Sequence, residues 1–179
     1  NDTFSHDDII HATIFAMHRV VPQIIIDNYR AGRYAGKFSA VGLFLDLSGF
    51  SSMTDTLMQH GQHGAEVLAG LMHGVFDPLV ESIFEYGGKV VGFAGDGIMA
   101  LFPLDDIPPK DVALRALAAA SEVQSHLFEN PVRQTPYGNF QFSVKVGLAV
   151  GDVAWGILRS IDEESATYYF RGTAVDESA

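Results

Sequence analysis

The chain of 179 residues contains no cysteine. That excludes disulfides, thiolate zinc sites and a cysteine nucleophile, and it fits a cytoplasmic setting. Basic residues are scarce: 11 Lys and Arg stand against 22 Asp and Glu, a formal net charge of -11. A protein that reads nucleic acid or lies on an anionic membrane needs a basic face, so neither partner is expected. No uninterrupted apolar run reaches membrane-spanning length, and no signal-peptide pattern opens the chain. Internal repeats and low-complexity segments are also missing. What is present, 47% hydrophobic and 18% charged residues, is the composition of an ordinary folded protein. The length suits one domain with a substantial core. The abrupt start and the ending GTAVDESA read as a piece excised from something longer.

Periodicity gives the order of elements. Asp7 to Tyr29 carries Ile10, Ile14, Met17, Val21, Ile24 and Ile25 at helical spacing, with Pro22 expected to kink or divide the helix. Arg30 to Lys37 reads as a connector, which sets residues 1–37 apart from the body at 38–179. Ala40 to Leu47 is a continuous apolar run, the mark of a strand buried on both faces. Gly61 to Phe84 predicts an amphipathic helix with Ala65, Leu68, Ala69, Met72, Phe76, Leu79, Val80 and Ile83 on its buried side. Phe84 also counts as core by spacing. Lys89 to Ala94 and Ile98 to Phe102 predict two strands joined by the tight turn Gly95-Asp96-Gly97. Pro103 to Pro109 is a loop and Asp111 to Phe128 a helix, while Phe140 to Val150, Val153 to Leu158 and Thr167 to Phe170 are further strands.

That order predicts an α+β fold: a ferredoxin-like antiparallel sheet with helices on one face, preceded by an extra N-terminal helix. In this topology the first two strands are parallel and the third lies between them. The end of the first strand and the second hairpin turn then share one sheet edge. Asp46, in FLDLSGF, and Asp96, in GFAGDGIMALF, become neighbours although fifty positions apart. Each ends an apolar run, where a carboxylate needs a partner. Two convergent carboxylates suit a hard cation such as magnesium, which bridges phosphates. The loop Leu47-Ser48-Gly49-Phe50-Ser51-Ser52 follows Asp46 and precedes a helix, so its amides are placed to cradle a polyphosphate. Lys145, alone in the apolar strand SVKVGLAVG, needs an anionic partner or a path to solvent.

Each feature alone has an ordinary reading as a turn, a cap or a solvated lysine. His60 and His63 stand three apart, but no third ligand is evident and a solvated loop is expected. His11 and His18 are expected on a helix face. Trp155 and Phe140 are expected to pack in the core or at an interface rather than stack a base.

Taken together, the motifs resemble those of the class III nucleotidyl cyclases, the adenylate and guanylate cyclases. Phe44, Asp46, Gly49, Phe50 and Ser51 meet the first motif of that family. Gly95, Asp96, Met99, Ala100 and Phe102 meet its hairpin motif. Val146, Gly147, Leu148, Gly151 and Val153 meet a third, and Gly172, Val175 and Asp176 a fourth. The likeness spans roughly Phe38 to Ala179 and looks most like the soluble, bicarbonate-responsive adenylate cyclase branch. It implies that 38–179 is a cyclase catalytic domain, truncated at its C-terminal end. It implies that Asp46 and Asp96 hold two divalent ions, magnesium or manganese, with the Leu47 carbonyl helping one. Ser48, Gly49, Phe50 and Ser51 would wrap the triphosphate of ATP, and Lys145 would meet a terminal phosphate. The reaction implied is closure of ATP to cyclic AMP with loss of pyrophosphate.

The departures from the pattern are as informative. The resemblance places a purine-selecting lysine at Gly92, a second purine reader at Tyr169 and a transition-state asparagine at Asp176. The matching arginine would fall just past Ala179. Sites of this family form between two domains, so the chain carries the metal-donating half. Three readings stay open: a domain completed by a different cyclase domain, in the same polypeptide or another; a homodimer with unusual purine contacts; or a regulatory nucleotide-binding module without turnover. Guanylate cyclase activity is the alternative within the enzyme reading, and loss of the Gly92-position lysine puts bicarbonate control in doubt.

Overall fold

The computed structural model describes residues 21–160 and 165–179. In chain order the elements are α1 (Gln23–Arg30), β1 (Ala35–Ser48), α2 (Phe50–Met58), α3 (Gly61–Glu85), β2 (Lys89–Ala94) and β3 (Gly97–Pro103). There follow α4 (Pro109–Glu129), β4 (Val132–Thr135), β5 (Gly138–Gln141), β6 (Ser143–Arg159), β7 (Ala166–Arg171) and α5 (Thr173–Asp176). Five strands form one sheet in the order β2-β3-β1-β6-β7, and β4 and β5 pair as a separate hairpin. β1 is antiparallel to β3 and β6, and β3 is antiparallel to β2. β1 and β2 are therefore parallel with β3 between them, as the ferredoxin-like order requires, and β7 extends the sheet beyond β6.

Side-chain alternation along β1 assigns its two faces. Val41, Leu43, Leu45 and Leu47 enter the main core with Leu57 of α2, Leu79 and Ile83 of α3 and Val123 of α4. Burial of each such leucine contributes about 2 kcal/mol. The opposite parity, Ala40, Gly42, Phe44 and Asp46, faces away from these helices. There Ala40, Val91, Leu101, Val153 and Ala174 make a smaller cluster under α5. A Cβ on Gly42 would stand 1.8 Å from the Ala174 carbonyl oxygen, so the missing side chain lets α5 lie on the sheet. α1 joins the same face through Ile25, packed with Trp155 and Ile157. Helices thus cover both faces: α2, α3 and α4 on one, the short α1 and α5 on the other.

Several elements differ from expectation. The helical pattern begins, among the described residues, only after Pro22, which stands just ahead of α1 with its carbonyl accepting the Ile25 N–H at 2.9 Å. The rest of the expected N-terminal helix, with His11 and His18, lies outside the described residues. β1 starts at Ala35, so the 37/38 division falls within it. β6 is one strand rather than two: Gly151 pairs with Ala40, and its missing side chain admits Thr173 rather than a turn. Phe140 belongs to β5 and packs on the main core, and Trp155 is buried, so both are packing residues.

On α3, Leu79, Val80 and Ile83 are in the main core and Leu68 and Phe76 pack against it, as expected. Gly64 and Val75 are also buried, whereas Ala65, Ala69 and Met72 are exposed. A Cβ on Gly64 would stand 1.9 Å from the Leu57 carbonyl oxygen, so α2 lies close against that turn. Phe84 is 45% exposed and Phe76 only partly buried. Although no apolar run is uninterrupted, α3 is by length and composition apolar enough to cross a membrane, with mean hydropathy 1.4 over 18 residues. In this fold Leu79 and Ile83 of α3 are part of the main core.

Candidate active site

One end of the sheet gathers the residues singled out by sequence. The ladder between β1 and β3 stops at the pair Asp46–Gly97, and Asp96 is the turn residue immediately before Gly97. Directly opposed residues in such a ladder have Cα atoms about 5 Å apart, so the two carboxylates belong to one edge. Both Asp46 and Asp96 are half-buried. On its other side Asp46 is opposed by Lys145 of β6, whose side chain is exposed. Opposed residues share a face, so the cation and Asp46 stand together on the side away from α3 and α4.

Beyond Asp46 the chain makes the turn that opens α2. Leu47 and Ser48 complete β1, opposed on β6 by Val144 and Ser143. Gly49 then takes φ 102 and ψ -12, a left-handed conformation that favours glycine. The expected loop Leu47–Ser52 is shorter than its sequence suggests, because Phe50, Ser51 and Ser52 already form the first turn of α2. The Ser52 hydroxyl donates to the Gly49 carbonyl at 3.1 Å and the Met53 N–H reaches the same oxygen at 3.4 Å, which closes that turn early. The first amides of a helix lack intrahelical acceptors and favour an anion. The Phe50 ring turns inward, edge-on to Phe76 with centroids 6.0 Å apart. Only its backbone is therefore available to a ligand.

The donors at this edge are two carboxylates and backbone carbonyls, all hard oxygen and only half withdrawn from water. That set fits a magnesium ion that keeps several of its waters. It does not fit a closed protein cage: among the described residues, no group of three or more His, Asp or Glu side chains is gathered at one place. His60 and His63 are exposed as expected, but they are ordered at the start of α3 and both engage Tyr137. That contact was not foreseen. The turn signal Pro136-Tyr137-Gly138 between Val132 and Phe140 was the available hint of the hairpin that carries Tyr137.

Gly92, Tyr169 and Asp176 lie apart from the carboxylate pair. Gly92, Val91, Met99, Tyr168 and Phe170 line a cavity of about 630 Å³ on the face away from α3 and α4; Tyr169 borders it, but its side chain opposes Gly156 and so stands on the other face of the sheet. Among the described residues no charged side chain lines it. The Tyr169 ring covers Gly156, and the Arg171 guanidinium stands 5.6 Å from its centroid. Asp176 is exposed in α5, its N–H bonded to the Gly172 carbonyl at 2.9 Å.

Known proteins share this fold and part of this sequence. No family model matches the chain. Adenylate cyclase type 10 of Rattus norvegicus and of Homo sapiens are each 29% identical over 142 residues, 78% of this chain. The match spans only 8% of the length of those relatives. A bacterial light-regulated adenylyl cyclase superposes with TM-score 0.66 over 99% of this chain and 51% of its own, at 22% identity. The adenylyl cyclase CyaB from P. aeruginosa gives 0.61 over 80% of this chain and 70% of its own, at 18% identity. The guanylyl cyclase Cya2 gives 0.59 over 81% and 69%, at 26% identity.

Proposed function

From the premise that this chain has the fold of class III nucleotidyl cyclase domains and is similar to them in sequence, we propose that it is the metal-donating and triphosphate-binding half of an adenylate cyclase site. The observation that carries this reading is the register that sets Asp46 beside the Asp96 turn and opposite Lys145, at the mouth of α2. Asp46 and Asp96, with the Leu47 carbonyl, would hold two magnesium or manganese ions. Such ions, when bound, supply Lewis-acid charge to phosphate oxygens. The amides of Ser48, Gly49, Phe50 and Ser51 donate to the polyphosphate and hold it at the helix N-terminus. Lys145 neutralises its terminal charge. Closure would form the bond from the ribose 3′-oxygen to the α-phosphorus and break the α–β phosphoanhydride, with loss of pyrophosphate and release of the 3′-hydroxyl proton to water; the turn at Gly49 would hold the polyphosphate that leaves.

ATP is the proposed substrate because relatives 29% identical to this chain are named adenylate cyclase. A second cyclase domain is the partner this half requires, since Asp176 repels the phosphates it would have to support.

The test is cyclic nucleotide production by the purified chain from ATP and from GTP, with magnesium and with manganese. Silence of the chain alone, with metal-dependent ATP binding, is the expected result. Turnover that climbs steeply with protein concentration would replace the half-site by a working homodimer. No metal-dependent binding of either nucleotide would overturn the proposal.

A further inference from the structure

The β4–β5 hairpin has no part in the site described above, yet it touches the chain at both ends of α2. At one end the carbonyl of Gln141, the last residue of β5, lies on Gly49; a Cβ there would stand 2.2 Å from that oxygen. At the other end Tyr137, in the hairpin turn, lies against the start of α3. Its ring stacks on His60, with centroids 3.9 Å apart and planes 14° from parallel. Its hydroxyl hydrogen-bonds Nδ1 of His63. The hairpin between these anchors is internally braced. The Thr135 hydroxyl donates to the Gly138 carbonyl at 2.8 Å and accepts the Tyr137 N–H at 3.1 Å. The Phe142 N–H closes its base on the Pro131 carbonyl at 2.7 Å.

The strapped segment is short. α2 has nine residues, about 13 Å of helix. Its last turn is joined to α3 by the His60 N–H on the Leu57 carbonyl at 3.0 Å. A shift of the His60–His63 turn is therefore passed along α2 to Gly49.

We infer that Tyr137 is a positioning residue for the phosphate-binding turn: clamped by His60 and His63, it holds the hairpin as a strap that fixes both ends of α2 and so the amides of Gly49 to Ser51. The inference rests on the phosphate role proposed for that turn.

The experiment uses the full chain with Tyr137→Ala, Tyr137→Phe, His63→Ala and His63→Asn. Two quantities are read: amide hydrogen exchange at residues 49–53 without ligand, and dissociation constants for magnesium tripolyphosphate and for adenosine. Tyr137→Ala is expected to speed exchange at 49–53 about tenfold and to weaken tripolyphosphate about fivefold, with adenosine within about twofold. Tyr137→Phe, which keeps the stacked ring, should lose less. His63→Asn puts a hydrogen-bonding atom near the place of Nδ1 and should recover most of what His63→Ala loses. Unchanged exchange and affinity in Tyr137→Ala, even with a lowered melting temperature, would make the tyrosine merely structural and overturn the inference. Wild-type chain that binds no magnesium tripolyphosphate would overturn the phosphate role itself, and the positioning role with it. Changed exchange would then still show the mechanical strap.

Discussion

Gly49→Ala probes the junction on which the phosphate-binding turn depends. Two costs add at that position. A φ of 102 is sparsely populated by residues with a Cβ, at a cost of about 1–3 kcal/mol. The new methyl would also stand 2.2 Å from the Gln141 carbonyl oxygen, more than about 1 Å inside an ordinary contact. That neighbour is backbone and has no rotamer to escape into, so the hairpin must move, adding about 1–3 kcal/mol. The sum is about 2–6 kcal/mol, a large share of the roughly 5–15 kcal/mol that holds a typical domain together. Urea unfolding should show the midpoint falling by about 1–2 M or more, and magnesium tripolyphosphate should bind at least about tenfold more weakly. Gly70→Ala is the control: it lies within α3 with nothing within 4 Å of an added Cβ, and it should stabilise by about 0.5–1 kcal/mol. If Gly49→Ala unfolds within about 0.5 kcal/mol of wild type and binds tripolyphosphate within about twofold, the turn is not the rigid element described here.

Asp46→Asn and Asp96→Asn keep shape and remove charge, so each should weaken magnesium-dependent ATP binding by about a hundredfold in titration calorimetry while the melting temperature changes little. Lys145→Met should weaken tripolyphosphate about tenfold or more and leave adenosine unaffected, because an exposed cation is lost and no core contact with it. Tyr86 gives a pH-dependent test: its hydrogen bond to Glu122, and then the charge of that carboxylate, raise the phenol above its ordinary 10.0. Stability from this raised group is complete below the ordinary value and lost as pH climbs through the raised one. Glu122→Gln should bring the Tyr86 titration down in ultraviolet absorbance, while Tyr168, raised by its burial, should not respond.

Much of the frame was legible because it rests on long periodic segments. The apolar run at Ala40 to Leu47, the Gly-Asp-Gly turn and the two long helical patterns fix the strand order, and the order alone brings Asp46 to the Asp96 turn. What escaped depends on contacts across the fold. The strands β4 and β5 have four residues each and include Arg133, Gln134, Asn139 and Gln141, too polar and too short for a periodic signal. Gly151 and Asp152 look like a turn, but the glycine is there to admit α5. The C-terminal part of the α3 face was legible, in Phe76, Leu79, Val80 and Ile83, whereas the burial of Gly64 depends on α2 lying against it. Tyr137 offered no motif, since its two histidine partners lie seventy-odd positions earlier in the chain.

Core packing and charge placement in the site follow from one registration. Asp46 lies between Leu45 and Leu47, which are 0% and 1% exposed. A slip of one residue would carry both leucines to the open face and drive Asp46 into the apolar layer under α3 and α4, at a cost of several kcal/mol. The core therefore holds the carboxylate in place with no help from a cation. The opposed Lys145 further offsets repulsion between Asp46 and Asp96, so persistence of the acidic pair is weak testimony to a metal. The stronger testimony is the mixture of signs at one edge: two carboxylates as one group, and as the other Lys145, which shares a face with Asp46, and the first amides of α2. A bare cation satisfies the first group and leaves the second. A bare anion does the reverse. A metal-bound polyphosphate carries both signs, which is the reason such a ligand is proposed for this edge.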